Sequence, residues 1–369
     1  MTQVIAWQSD TATVDLVRLA VKTLREGGLV ALPTETTYAL AANATSPDAM
    51  KRLQRHQGGA DIKLALADPS LIGEWLPDLG RAGQRLSRRL WPGPLTLLSG
   101  EGLSKGKAAT IPEPLGSEIR QEGRLGFCVP DHEVVQQVLR SSAWPVAFSC
   151  DYSAAISYLA SAEEILQVVR NDLALVIDDG PTFFKRPSTL VEVKGSAWSV
   201  VRPGALSDQS VVEQAACRIV FVCTGNTCRS PLAEALCKKR LADRLGCSPD
   251  ELPAHGFVVL SAGLAAMIGE EAAKEAVQAA QLYGANLERH TSRQATVDLL
   301  LQADHVLAMT QGHLDLMAGL SALPGCKPRL LSARGEDIAD PIGGDAQVYE
   351  LCARQIYDCL GPIMEELLA

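Results

Sequence analysis

Residues Arg218 to Leu236, RIVFVCTGNTCRSPLAEAL, put a strand-like run, a short loop and a helix opening in direct succession, and few folds accommodate that order. Arg218 to Val222 is rich in β-branched and aromatic side chains, the pattern of a buried strand. Ser230 and Pro231 then open a helix that runs through Ala233, Glu234 and Leu236. Between them Cys223 and Arg229 stand six positions apart, and Gly225 and Asn226 tolerate the backbone conformations that aim several N–H groups at one point. A tetrahedral dianion fits such a loop, held by the amide nest, the helix N-terminus and a bidentate guanidinium. The phosphate-binding set is Thr224, Gly225, Asn226, Thr227, Cys228 and Ser230. The positive surroundings favour the Cys223 thiolate, which is the nucleophilic form, and Ser230 can donate a hydrogen bond to it.

A cysteine and an arginine at this spacing are a weak signal alone; with the strand, the Gly-Asn loop and the Arg-Ser-Pro helix start they are a strong one. CTGNTCRSP resembles the active-site loop of the low-molecular-weight protein phosphatases. SAG at Ser261 to Gly263, ADHVLAMT at Ala303 to Thr310 and DPIGG at Asp340 to Gly344 follow in that family's order, so the resemblance spans Arg218 to Ala369. It implies a two-step hydrolysis with Cys223, Arg229 and Asp340 as catalytic residues. Cys223 attacks phosphorus to give a phosphocysteine, Arg229 and the loop amides hold the transferring oxygens, and Asp340 protonates the leaving group and then activates water.

The residues around Asp340 allow two readings on their own. Pro341 and Ile342-Gly343-Gly344 would present a carboxyl on a mobile turn, where a nearby phosphate dianion makes it hold its proton more tightly. Alternatively the aspartate caps a helix over Asp345 to Leu360. The cysteine loop favours the first. Thr227 stands where tyrosine-specific members of the family carry a bulkier aliphatic residue, and threonine there resembles the bacterial members that act on phosphoarginine. Ile342 and Gly343 leave a less aromatic rim than tyrosine phosphatases show. Phosphoarginine is therefore the expected substrate, with phosphotyrosine as rival. Cys228 matches a second cysteine that in the family can form a reversible disulfide with the nucleophile; equally, it is a small buried residue filling the loop. Arsenate reductase, which shares the loop, needs further cysteines near the domain's middle, and Gly263 to Leu320 contains none.

The chain's 369 residues are enough for two cores. Its formal charge of −9 offers no global attraction to nucleic acid or anionic membrane. Ten cysteines without paired C-x-x-C spacing, one of them expected as a thiolate, argue for a reducing cytosol and against zinc. His56, His132, His255, His290, His305 and His313 show no metal-ligand spacing, so no metal is expected. The N-terminus lacks a signal-peptide pattern and no apolar run is long enough to span a membrane, so the expected location is the cytoplasm.

The first half reads as α/β. A helix with Val14, Val17, Val21 and Leu24 on its apolar face is expected from Thr11 or Thr13, then a strand at Leu29 to Leu32, a hydroxyl-rich loop PTETTYAL, and a helix with Ser46 as N-cap and Pro47 at its first position. With LWPGPLTL at Leu90 to Leu97, FCVPDH at Phe127 to His132, AFSCDYS at Ala147 to Ser153, PSTLVEV at Pro187 to Val193 and VRPG at Val201 to Gly204, this half resembles the YrdC/Sua5 family. That family uses ATP, L-threonine and bicarbonate to make threonylcarbamoyl-adenylate for tRNA modification. The resemblance implies a twisted mixed sheet with helices, a nucleotide or RNA (double-stranded RNA included) as partner, and ligand contacts from Thr34, Thr36, Ser149, Ser188 and Arg202. Thr34 and Thr36 could equally cap backbone groups, and Ser188 could serve its strand.

Departures from the family pattern lie at its cations. Its lysine and arginine correspond to His56 and Gly58, a proline to Lys63, the arginine before Val-Pro to Cys128, and the asparagine of Ser-Ala-Asn to Asp151. Each charge-assisted contact is worth on the order of 1.5–3 kcal/mol, so three lost cations threaten several powers of ten in nucleotide affinity. The expected organisation is a degenerate YrdC-like domain over 1–206, a linker over 207–216, and a doubly wound parallel sheet of phosphatase type over 217–369. The phosphatase acts on a phosphorylated protein and needs no cofactor; ATP, L-threonine and bicarbonate enter only as substrates of an active first domain. The alternative is a threonylcarbamoyl-adenylate synthase with an accessory phosphatase.

Overall fold

The computed structural model describes residues 2–7, 13–56, 62–111, 120, 122–150, 158–169, 172–319 and 327–368, with the side chain of Thr13 left out. Thr11, Gly58 and Asp151, to which the sequence drew attention, lie outside them. The chain divides into two compact units, Met1–Ala215 and Ala216–Ala369.

The first unit is built on a mixed sheet. Its strands lie side by side in the order Gln3–Ala6, Leu173–Asp178, Leu29–Leu32, Ala39–Asn43, Val146–Ser149, Lys63–Ala65, Leu125–Cys128, Leu95–Ser99, Thr189–Lys194 and Ala197–Arg202. Parallel and antiparallel pairings alternate irregularly: Leu29–Leu32 is antiparallel to Ala39–Asn43 and parallel to Leu173–Asp178. The strand Ala39–Asn43 was not anticipated, because ALAAN has little β propensity. Tertiary context supplies what propensity lacks. Every residue of it is buried, Leu40 and Ala42 in one apolar layer and Ala39 and Ala41 in the other.

The helix Thr13–Arg25 buries Leu16, Val17, Ala20 and Leu24, whereas Val14, expected on the apolar face, is 53% exposed. Its inner face is set by the helix Glu133–Ser141 and the strands it packs on, and small Ala20 allows close approach there. Ser46 caps Pro47–Arg55 as anticipated, accepting from the Ala49 amide at 3.4 Å. The stretch expected to link the domains forms the helix Asp208–Ala215. Val211 and Ala215 join the first unit's core, and Arg85 and Arg89 donate to the carbonyls of Ala215 and Gln214, satisfying the helix's last acceptors.

The second unit carries a parallel sheet in the order Phe257–Gly263, Cys217–Cys223, His305–Ala308, Arg329–Leu330. The chain's first strand here is central, with its successors on either side. Ile219 and Phe221 face one apolar layer with the helices Arg229–Leu245 and Ala346–Leu368, while Val220 and Val222 face another with Leu300 and Met317. This is a doubly wound arrangement, and such sheets place their crevice at the carboxyl end of the strand where the order reverses. That end is Cys223.

The helix Lys274–Gln281 begins only at Lys274, although the helix-favouring composition starts at Glu270. The preceding residues bond elsewhere: Ala265 N to Thr224 O and Ala273 N to Thr227 O, both on the cysteine loop, and Ser292 N to Glu270 O. The last helix runs on past Leu360 to Leu368, with Pro362 inside it. Asp345, not Asp340, caps it, accepting from Val348 N at 3.2 Å. The excursion Leu245 to Gly256 leaves its helix through left-handed Gly246 and makes one short turn, Pro249–Glu251, with a capping box between Ser248 and Glu251. Among the described residues no helix is long and apolar enough to cross a membrane.

Candidate active site

The loop after Cys223 is held from beneath. Asn226 adopts φ 57°, the left-handed conformation that asparagine tolerates, while Gly225 keeps a negative φ. Gly263, at the end of the neighbouring strand, passes directly under the loop: a Cβ there would lie 2.5 Å from Thr224 O and 2.9 Å from Asn226 N, so only glycine fits.

Asn226 organises the polar contacts. Its backbone N–H donates to Cys223 Sγ at 3.2 Å, and its Nδ2 donates to Ser230 Oγ and Ser261 Oγ, each at 2.9 Å. Its Oδ1 accepts from Arg293 N at 2.9 Å, and its carbonyl pairs with His290 Nε2 at 2.8 Å. Ser261 donates onward to Glu234 Oε2 at 2.6 Å, and Lys238 pairs with the other oxygen of that carboxylate. The Ser230 hydroxyl accepts from Asn226 Nδ2 and lies 2.9 Å from Cys223 Sγ and 3.4 Å from Ala262 O, so its own proton can go to either of these two. The sulfur, only 3% exposed, thus receives the Asn226 N–H and has the Ser230 hydroxyl within hydrogen-bond reach.

Arg229, 6% exposed, donates from Nη1 to Ile338 O at 3.4 Å and from Nη2 to Asp340 Oδ2 at 2.5 Å. The carboxyl from 111 residues further along therefore meets the guanidinium of the cysteine loop directly. Asp340 Oδ1 also accepts from Ile342 N at 3.3 Å, closing the Asp-Pro-Ile-Gly turn, and Ile342 is 73% exposed. Cys228 is buried with Sγ 3.3 Å from Tyr349 OH; burial raises that phenol's pKa. His313, 5% exposed, joins Thr224 Oγ1 through Nε2 at 2.9 Å. Burial and then Arg229 hold its pKa below the ordinary histidine value, against Asp340 and Asp337, so the ring is neutral near pH 7.

Every catalytic and phosphate-binding candidate of the second domain gathers at this loop. Sequence reasoning missed the supporting residues Glu234, His290, His313 and Tyr349. The SAG motif pointed to Ser261, but nothing in the spacing of the histidines marked two of them as loop partners.

The first unit's candidates are more dispersed. Thr34 Oγ1 accepts from the amides of Thr36 and Thr37, donates to Thr37 O at 2.6 Å and lies 3.0 Å from Thr36 Oγ1, which is the backbone-capping role. Ser149 is buried in its strand, and Arg202 donates to Ser188 O at 3.3 Å. Lys63, 6% exposed, crosses the bare Cα of Gly126 to reach Thr96 Oγ1 at 3.3 Å and Ser188 Oγ at 3.2 Å. His56 pairs with Asp172 at 2.7 Å, and burial pushes the Cys128 thiol up to about 12, leaving it a neutral apolar group. A cavity of about 570 Å³ is lined by Thr34, Glu35, Asp131, His132 and Asp179, with Phe183 and Phe184 beside them; burial raises the pKa of Glu35.

Two family models match the chain: Sua5/YciO/YrdC, described as telomere recombination, over residues 22–204, and low molecular weight phosphotyrosine protein phosphatase over 218–369. A protein-arginine-phosphatase from Geobacillus stearothermophilus is 36% identical over 156 residues, covering 41% of this chain and 95% of the relative. A threonylcarbamoyl-AMP synthase from Pyrococcus abyssi is 28% identical over 193 residues, covering 52% of this chain and 54% of the relative; the chain thus spans about half the length of that synthase. The crystal structure of P. abyssi Sua5 complexed with L-threonine shares the first unit's fold, with a TM-score of 0.50 and 21% identity over 61% of this chain and 72% of that one. The chain accordingly belongs to the low molecular weight protein phosphatase family through residues 218–369, and carries a Sua5/YrdC domain over residues 22–204.

Proposed function

We propose that the protein hydrolyses phosphorylated protein side chains through a phosphocysteine at Cys223. The observation that carries this reading is the meeting of Cys223, its hydrogen-bond partners Ser230 and Asn226, Arg229 and Asp340 at one strand end. The Cys223 thiolate attacks phosphorus, and the bond from phosphorus to the leaving oxygen or nitrogen breaks as Asp340 gives that atom its proton. Water then attacks the phosphocysteine, Asp340 takes a proton from it, and inorganic phosphate leaves with the thiolate regenerated. Arg229 passes from Asp340 to the phosphoryl oxygens when the dianion arrives, which frees the carboxyl for its acid role.

Phosphoarginine is the preferred substrate class. Thr227 supports it: a hydroxyl in the loop can pair with guanidinium N–H groups that an aliphatic residue would leave unpaired, at a cost of ~1–3 kcal/mol. Thr227→Ile is expected to shift the ratio of kcat/KM for phosphoarginine over phosphotyrosine about 10- to 100-fold towards phosphotyrosine. Competition assays on peptides carrying either group measure this, and an unchanged ratio excludes the assignment.

The first domain acts as a binding module with adenylate formation weak or lost. His56 and Cys128 stand in for cations of the family, and Asp131 and Asp179 put negative charge on the cavity beside Thr34, which disfavours a triphosphate there. The full-length protein is expected to release no pyrophosphate from ATP with L-threonine and bicarbonate; release dependent on all three restores the synthase reading.

A further inference from the structure

Thr224 directly follows the sulfur and is tethered twice. Its carbonyl accepts from Ala265 N at 3.0 Å, and its hydroxyl meets His313 Nε2 at 2.9 Å. The other ring nitrogen, Nδ1, meets Thr310 Oγ1 at 2.9 Å, and that oxygen also accepts from His313 N, capping the helix Gln311–Leu316. The same short segment is bonded to the stretch of chain that leads to Asp340. Gln311 N donates to Asp337 Oδ1 at 2.7 Å, Ile338 N to Met309 O at 2.8 Å, and Met309 N to Val222 O at 3.0 Å. Arg229 bonds to Ile338 O. One buried imidazole thus lies between the loop that follows the nucleophile candidate and the segment that ends in Asp340.

We propose that His313 is a positioning residue of the phosphatase reaction: by holding the Thr224 hydroxyl it fixes the peptide planes that follow Cys223, so that the loop amides converge on the transferring phosphoryl group. The inference rests on the reading of Cys223 as nucleophile. A neutral imidazole has one donor and one acceptor, and its two partners are hydroxyls that can each serve in either sense, so both ring nitrogens are satisfied without a charge being buried. An apolar side chain of similar size would fill the space but leave Thr224 free to turn. Displacement of a reacting or stabilising group by about 1 Å costs up to about 100-fold in rate.

Full-length His313→Leu, His313→Gln, His313→Asn, Thr224→Val and the His313→Leu/Thr224→Val double variant are compared with p-nitrophenyl phosphate as substrate. His313→Leu is expected to lower kcat about 10- to 100-fold with KM changed less than about threefold, and Thr224→Val to do the same. Because both act through one contact, the double variant should be no slower than the slower single one. Gln, whose terminal amide reaches about as far as Nε2, should recover most of the rate, and Asn, which reaches only as far as Nδ1, should not. Multiplying effects in the double variant, or equal rates for Leu and Gln, overturn the proposal. Should the Leu variant fail to fold, as a thermal melt would reveal, the contrast between Gln and Asn decides alone. A parent protein inert towards p-nitrophenyl phosphate overturns the phosphatase reading and this role with it; an active parent with additive variants overturns only the role of His313.

Discussion

Cys223→Ser is expected to reduce hydrolysis of every phosphorylated substrate by on the order of 10⁴-fold or more while leaving the fold intact. Serine nearly matches cysteine in shape at a site only 3% exposed, so packing changes little. The chemistry does not survive the exchange. The neighbours of this position, Ser230 Oγ and Asn226 N, offer no base to take a proton from a serine hydroxyl, which ionises far less readily than a thiol. Of the two histidines that touch the loop, His313 is directed at the Thr224 hydroxyl and His290 at the Asn226 carbonyl, neither at residue 223. Circular dichroism checks the fold and a phosphate-release assay the rate; a serine variant as fast as its parent removes Cys223 from the mechanism.

Asp340→Asn separates two consequences of one contact. Loss of the general acid is expected to lower kcat by about 10²- to 10⁴-fold for leaving groups that need a proton, such as a phenol or a guanidine nitrogen, and much less for p-nitrophenolate, which departs as an anion. Oxyanion affinity should move in the opposite direction. In the structure Asp340 Oδ2 occupies one donor of Arg229 at 2.5 Å, so an arriving phosphate must displace it. The aspartate is 44% exposed and its contribution correspondingly screened, so its removal should tighten vanadate or phosphate binding by no more than about tenfold. Equal losses on all leaving groups would place the acid elsewhere. Weakened oxyanion binding would show that the carboxyl helps to hold the ligand.

The catalytic loop was legible in the sequence because its chemistry is local: seven consecutive residues contain the sulfur, the guanidinium and the backbone that bends around them. Asp340 was legible only through its motif, since the ion pair that defines its place spans 111 residues. Its other local reading, as a helix cap, went to Asp345 instead. The supporting shell could not be read. His290 and His313 sit in segments that look like ordinary turn and helix starts, and their partners are a backbone carbonyl and a hydroxyl brought close only by the sheet order. Helix boundaries failed for the same reason. Residues 270–273 have helical composition, but their backbone is engaged by the cysteine loop and by Ser292. In the first domain the strand Ala39–Asn43 escaped because alanine marks burial on both faces more than it marks a strand, and Val14 was misplaced because neighbouring elements, not its own hydrophobicity, decide which face turns inward.

The central claim is that a phosphoryl group spends part of each turnover on one sulfur. Rapid acid quenching of the full-length protein during turnover, followed by proteolysis and mass spectrometry, tests it most directly. A single added phosphoryl group on the peptide containing Cys223, more abundant in the Asp340→Asn protein with p-nitrophenyl phosphate because Asp340 also activates the hydrolytic water, is the predicted result. Steady turnover with no phosphorylated cysteine at any quench time, or a phosphoryl group recovered on another residue, would contradict it.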